Sequence, residues 1–174
     1  MWMKTLALAV VAVTACAKPV DPGAGSPGET YRVAGDLVDL SSGSAEIPIP
    51  GVTGASARTR YRLLAEVAGD LNADGSQDRA AVVAVDTGGS GTFIHVAAIL
   101  LDAGSPRSIE SVLLGDRFEV ADLRIMEPGH VDAGMIIVGL NIRDAGQPMS
   151  EEPRFYVTRM LRVQDHRLVE IPQY

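Results

Sequence analysis

A period of two restricts this chain more than any other feature. From Arg58 to Val67, Thr59, Tyr61, Leu63, Ala65 and Val67 alternate with Arg58, Arg60, Arg62 and Glu66, and such alternation lines one face of a strand. A half-buried strand is expected there. Ala80 to Val85 is instead a continuous apolar run and Thr92 to Leu101 is apolar on both faces, the pattern of strands buried on both faces, joined as a hairpin across Asp86 to Gly91. Further strands are expected over Ile109–Leu114, Phe118–Met126, Met135–Ile142, Phe155–Val163 and Leu168–Ile171, with turns at Asp102–Pro106, Gly115–Asp116, Pro128–Asp132 and Asp144–Pro153. Tyr31–Leu40 and Glu46–Ile49 read as weaker edge strands, the second demoted by Pro48 and Pro50. The expectation is an all-β chain: a single antiparallel β domain of about 8–10 strands, sandwich or barrel-like. Only Ala57–Ala68 offers a place for a minor helix, which would make the class α+β. No internal repeat is visible, so a propeller of several blades is excluded.

The chain's beginning reads as something other than fold. Met1–Lys4 carries one positive charge, Thr5–Val13 is almost wholly apolar, and small residues lead to Cys16, the layout of an export signal. Residues 1–15 are therefore assigned to a signal peptide. The apolar stretch is too short to span a bilayer, which takes about 20 residues. Val13-Thr14-Ala15-Cys16 resembles the lipobox of bacterial lipoproteins, which implies lipidation at Cys16, the chain's single cysteine. With one cysteine no intramolecular disulfide can form. Residues 16–30 hold Pro and Gly without apolar periodicity and form a flexible tether, leaving 31–174 as the β domain. Both lysines, Lys4 and Lys18, precede this domain, where thirteen Arg face twenty acidic residues. Lysine Schiff-base chemistry is excluded there, and the acidic balance argues against nucleic acid, which calls for a basic patch.

One loop carries most of the chemistry. Asp70, Asn72, Asp74 and Asp78 stand at positions 1, 3, 5 and 9 with Gly75 at position 6. A hard cation such as calcium takes six to eight oxygens, and a tightly wound loop supplies them from alternate side chains and the carbonyl at position 7, here Ser76. An EF-hand would place a bidentate Glu at position 12, but Ala81 stands there. D-x-N-x-D-G-x-x-D leading into a β-branched run resembles instead the calcium loops of FG-GAP, integrin-type repeats. The competing reading is a surface turn rich in Asp and Gly.

Together, Ala45–Gly51, Arg60-Tyr61, Gly69–Gly75, Gly88-Gly89-Ser90-Gly91-Thr92-Phe93, Leu114-Gly115-Asp116-Arg117 and Leu168-Val169-Glu170 resemble a group of small bacterial lipoproteins and secreted proteins of unassigned function. In that group a DLNGDG-like loop precedes a GGSGTF hairpin and an LGDR turn. The resemblance implies an exported envelope protein and no particular reaction. Ala73 replaces the group's commoner glycine, at a cost of about 1 kcal/mol if the position needs a positive φ.

Other signals are weaker. Asp86-Thr87-Gly88 after an apolar run resembles the catalytic turn of aspartic peptidases, but those enzymes pair two carboxylates, so this chain would have to dimerise through Asp86. Ser90 lacks the G-x-S-x-G elbow, and Gly88–Gly91 lacks the lysine and helix of a phosphate loop. His95, His130 and His166 show no paired spacing and read as structural or solvated. Arg58, Arg60 and Arg62 form a stripe that could hold anions but reads better as a solvated face paired with carboxylates. These observations lead us to expect a non-enzymatic envelope lipoprotein, acyl-anchored in the outer membrane and facing the periplasm, with one structural calcium ion. Its partners would be the membrane and an envelope protein or glycan. The alternatives are a secreted dimeric peptidase at Asp86 and a calcium-dependent adhesion or carbohydrate module, the latter weakened by the absence of Trp after Trp2.

Overall fold

The computed structural model describes residues 30–54 and 57–172. The signal peptide and Cys16 lie outside the described residues. Eleven strands make up the described fold, with no helix. They are β1 (Thr30–Val33), β2 (Asp36–Asp39), β3 (Ser44–Pro48), β4 (Arg58–Gly69), β5 (Asp78–Asp86), β6 (Phe93–Asp102), β7 (Ser105–Asp116), β8 (Glu119–Ile125), β9 (Ile136–Ile142), β10 (Phe155–Gln164) and β11 (Arg167–Ile171). The class is all-β, and Ala57–Ala68 is strand from Arg58 onward. Tyr31–Leu40 is a hairpin rather than one edge strand. Ala34 and Gly35 turn at φ of 52° and 91°, the left-handed pair of a two-residue turn matching strand twist. Ala103-Gly104 does the same between β6 and β7, at 49° and 85°.

The strands form two sheets, ordered β2-β1-β7-β6-β5-β4-β3 and β11-β10-β9-β8. All pairings are antiparallel except that of β1 with β7, where Arg32 sits opposite Glu110 in parallel. The larger sheet is therefore mixed, a departure from the antiparallel expectation. Its two edge strands, β2 and β3, are consecutive in the chain and joined only through Leu40–Gly43. Seven strands laid flat would separate those edges by about 29 Å, whereas the connection reaches at most about 17 Å. The sheet must curl, and it nearly closes as a barrel.

Curling produces two cores, one inside the barrel and one between it and the smaller sheet. On β5, Ala81, Val83 and Val85 fill the barrel, while Ala80, Val82 and Ala84 pack toward Ile136, Val138, Leu140 and Leu161 of the second sheet. This is why β5 and β6 read as apolar on both faces. β4 changes allegiance along its length. Tyr61 and Leu63 pair with Val85 and Val83 and enter the barrel, but a bulge at Leu64 shifts the register so that Ala65 and Val67 pair with Val82 and Ala80 and enter the other core. The single face expected for Thr59–Val67 is thus split in two. Glu66, expected on the solvent face, is instead turned inward and is only 6% exposed. There the Tyr31 hydroxyl donates to Glu66 Oε1, and Arg79 Nη1 lies 3.7 Å from its other oxygen.

Candidate functional site

The loop from Asp70 to Asp78 links β4 to β5 and is wound around its own carboxylates. Asp70 Oδ1 accepts from the main-chain N–H groups of Asn72 and Asp74, and its Oδ2 accepts from Gly75. Asn72 Nδ2 donates to Asp74 Oδ2 at 3.0 Å, and Ser76 N donates to Asp74 Oδ1 at 2.6 Å. Those bonds from Ser76 and Asn72 hold the exposed Asp74 carboxyl below its ordinary range. Ala73 takes φ of 62° and Gly75 83°, so the position where the resembling group carries glycine does adopt the left-handed conformation. Asp78, the first residue of β5, is buried. Its two oxygens accept from Leu71 N and Leu101 N, both at 2.8 Å. Burial pushes its carboxyl up, the two N–H bonds oppose this, and the negative charges of Asp74 and Asp70 raise it further.

The loop is also a clasp between the sheets. Leu71 enters the inter-sheet core, and Gly134, in the connection between β8 and β9, lies so close beneath that a Cβ there would be 2.9 Å from the Leu71 carbonyl oxygen. As donors, Asp70, Asn72, Asp74, Asp78 and the Ser76 carbonyl are the hard oxygens calcium takes. Among the described residues, however, no three acidic, histidine or cysteine side chains gather closely enough to form a metal group. The Asp70 and Asp74 carboxylates are turned onto loop amides, and that of Asp78 is shared between Leu71 in the loop and Leu101 on β6.

Asp86 ends β5, at the opposite end of that strand from Asp78. Its Oδ1 accepts from Gly88 N at 2.8 Å, and its Oδ2 lies 3.3 Å from Arg60 Nη1. Arg58 and Arg60 also pair with Glu46, so two of the three stripe arginines face carboxylates. His95 is buried with Nδ1 at 3.1 Å from Ser111 Oγ, and burial lowers its basicity while Glu110 partly restores it. His130 is in an exposed turn beside Asp132, and His166, at φ of 58°, helps turn β10 into β11.

The Gly88–Phe93 and Leu114–Arg117 segments, separate in the chain, meet. Thr92 N donates to Asp116 Oδ1 at 2.8 Å, and Arg117 N donates to Thr92 O at 2.7 Å. Gly115 lies flat beneath the Phe118 ring, where a Cβ would come within 2.2 Å of that ring. Sequence reasoning treated these as two turns; only the pairing of β6 with β7, which sets Phe93 opposite Asp116, brings them together. The buried Tyr31–Glu66–Arg79 group also escaped it, because the Leu64 bulge has no distinctive sequence signature. No known protein family, characterised protein or solved structure matches this chain.

Proposed function

We propose that this protein is an exported lipoprotein of the cell envelope, held to the membrane by an acylated Cys16, whose β domain binds or supports a partner and uses calcium as a structural ion. The observation that supports the calcium reading is the placement of Asp70, Asn72, Asp74 and Asp78 in one tightly wound loop, with Ala73 and Gly75 in left-handed turns between them; burial, and to a lesser degree the charges of Asp74 and Asp70, push the Asp78 carboxyl up. A divalent cation bound by Asp70, Asn72, Asp74, Asp78 and the Ser76 carbonyl would offset both the burial of the Asp78 carboxylate and the charge of its neighbours. Because the same loop clasps the two sheets through Leu71, binding there stabilises the whole domain. A ligand that binds only the folded state at 100 times its Kd adds about 2.7 kcal/mol. Melting the protein in millimolar calcium and in chelator tests this: the calcium sample should melt higher, and Asp74→Ala should abolish the difference. Equal melting in both conditions would remove calcium from the proposal.

The anchor rests on the lipobox-like Val13–Cys16 and is tested by Cys16→Ser, which should move the protein out of the membrane fraction and end palmitate labelling. Against the peptidase alternative, the Asp86 carboxylate is already engaged by Gly88 N and Arg60. Asp86→Asn should leave folding unchanged, since Asn serves equally in such a turn. Wild-type peptide cleavage lost in that variant would reverse the non-enzymatic reading.

A further inference from the structure

We propose that the junction of the Gly88–Thr92 loop with the Asp116–Arg117 turn is a binding site for a phosphate monoester. It lies at the opposite end of β5 from the calcium loop and does not depend on that loop's reading. Three elements enclose an open depression of about 490 Å³: Ser90 and Thr92 before β6, Arg117, Phe118 and Glu119 at the turn from β7 into β8, and Arg143 with Met149 after β9. Arg117 is the unusual residue. Its φ of 56° is left-handed, a conformation that a long side chain adopts only when its surroundings impose it. Its Nε is shut away from solvent, 3.3 Å from Asp116 Oδ2 but out of hydrogen-bond geometry, with no acceptor among the described residues. With its Nε closed from solvent beside Asp116, the guanidinium meets the depression through its remaining, exposed part.

The surroundings define the ligand's chemistry. Arg143, mostly buried, brings a second guanidinium from the smaller sheet, with Nη2 3.0 Å from Glu119 and Nε donating to the Glu151 carbonyl. Each guanidinium thus has a resident carboxylate beside it. A monoanionic carboxylate ligand gains little against Asp116 and Glu119, whereas a phosphate monoester carries about −1.5 to −2 charges at pH 7 and three strong acceptor oxygens, and Arg binds it through paired N–H donors. Ser90 and Thr92 also line the depression. Phe118 and the half-exposed Met149 give the depression an apolar wall, which fits an ester with a hydrocarbon substituent better than inorganic phosphate. The source is either a soluble ester or a lipid headgroup.

Amide NMR titrations of the full-length protein with hexyl phosphate, inorganic phosphate and hexanoate test the assignment. Hexyl phosphate should bind most tightly and shift Ser90, Thr92 and Arg117. Arg117→Gly, Arg117→Asn and Arg143→Gln should each weaken it about tenfold or more, as expected for loss of a charge-assisted bond. Because Gly and Asn accept a left-handed φ, both Arg117 variants should melt no lower than wild type. A lower melting temperature in both would make Arg117 a structural residue and overturn the proposal. So would undiminished binding in these variants, an absence of shifts, or hexanoate binding as tightly as the phosphate. Phosphatidylcholine vesicles with and without phosphatidic acid then separate the sources. Capture that requires both phosphatidic acid and Arg117 identifies a lipid headgroup, and failure of capture with hexyl phosphate binding intact identifies a soluble ester.

Discussion

Asp78 joins three parts of the chain with one side chain. One oxygen holds the N–H of Leu71 in the loop, and the other holds that of Leu101 on β6. Buried donors left without partners cost about 1–3 kcal/mol each. Asp78→Ala should therefore destabilise the domain by about 2–5 kcal/mol in denaturant melts performed in chelator, where metal plays no part. His95 supplies a pH dependence of definite sign. Burial depresses its folded basicity, so the folded state binds fewer protons than the unfolded chain, and stability is lost as pH falls through the ordinary histidine value of about 6.5. His95→Gln retains a polar group near Ser111 without titrating. The stability of wild type relative to this variant should decline from about pH 7.5 to about pH 5.5, and a flat difference would refute the assignment.

At the scale of elements, the Leu64 bulge decides which way half of β4 faces. A one-residue change of register moves every following side chain to the other face, and bulges do this locally. Deleting Leu64 removes the extra residue and leaves Leu63 opposite Val83 and Ala65 opposite Val82, so Ala65 and Val67 should stay in the inter-sheet core and Glu66 beside Tyr31 and Arg79, with a single cooperative thermal transition retained. A broadened or absent transition would show that the bulge itself is needed for folding. The small β1–β2 hairpin is held to β7 largely by side chains. Ser108 Oγ donates to the Thr30 carbonyl, while Ser111 Oγ accepts from Ala34 N at 3.0 Å and Glu110 Oε1 from Gly35 N at 3.1 Å. Only one residue pair, Arg32 with Glu110, carries parallel ladder register there. Local opening at this hairpin should be the easiest in the barrel, and its amides should exchange faster than those of β5 and β6.

Over the whole molecule, barrel closure and sheet stacking are separate tasks. Closure is assisted across the open seam by the Tyr61 hydroxyl, which donates to Asp36 on β2; burial, then Asp36, pushes the pKa of that phenol strongly up, so it stays protonated. Tyr61→Phe keeps the ring in the barrel and removes the bridge, so the expected loss is about 1 kcal/mol, concentrated in faster exchange of β1 and β2. Stacking depends on the inter-sheet core. Leu140, fully buried there, should cost about 2–5 kcal/mol on replacement by alanine, more than Tyr61→Phe, because the resulting cavity lies where both sheets meet.

The strand class, nearly all strand positions after Arg58 and the oxygen spacing of the Asp70–Asp78 loop were legible in the amino acids, because periodicity and turn chemistry are local properties. Asp86 as a turn acceptor and the pairing of Arg58 and Arg60 with carboxylates were legible for the same reason. Tyr31–Leu40 was misread as one strand because Ala34 at a positive φ is not a residue that announces a turn. The parallel β1–β7 pair, the barrel, the burial of Glu66 and the meeting of Thr92 with Asp116 and Arg117 came only from the tertiary structure. Each depends on which strands become neighbours, and that is set by the short β2–β3 connection and the competition of two cores for the faces of β4, β5 and β6, quantities that no local window of sequence contains.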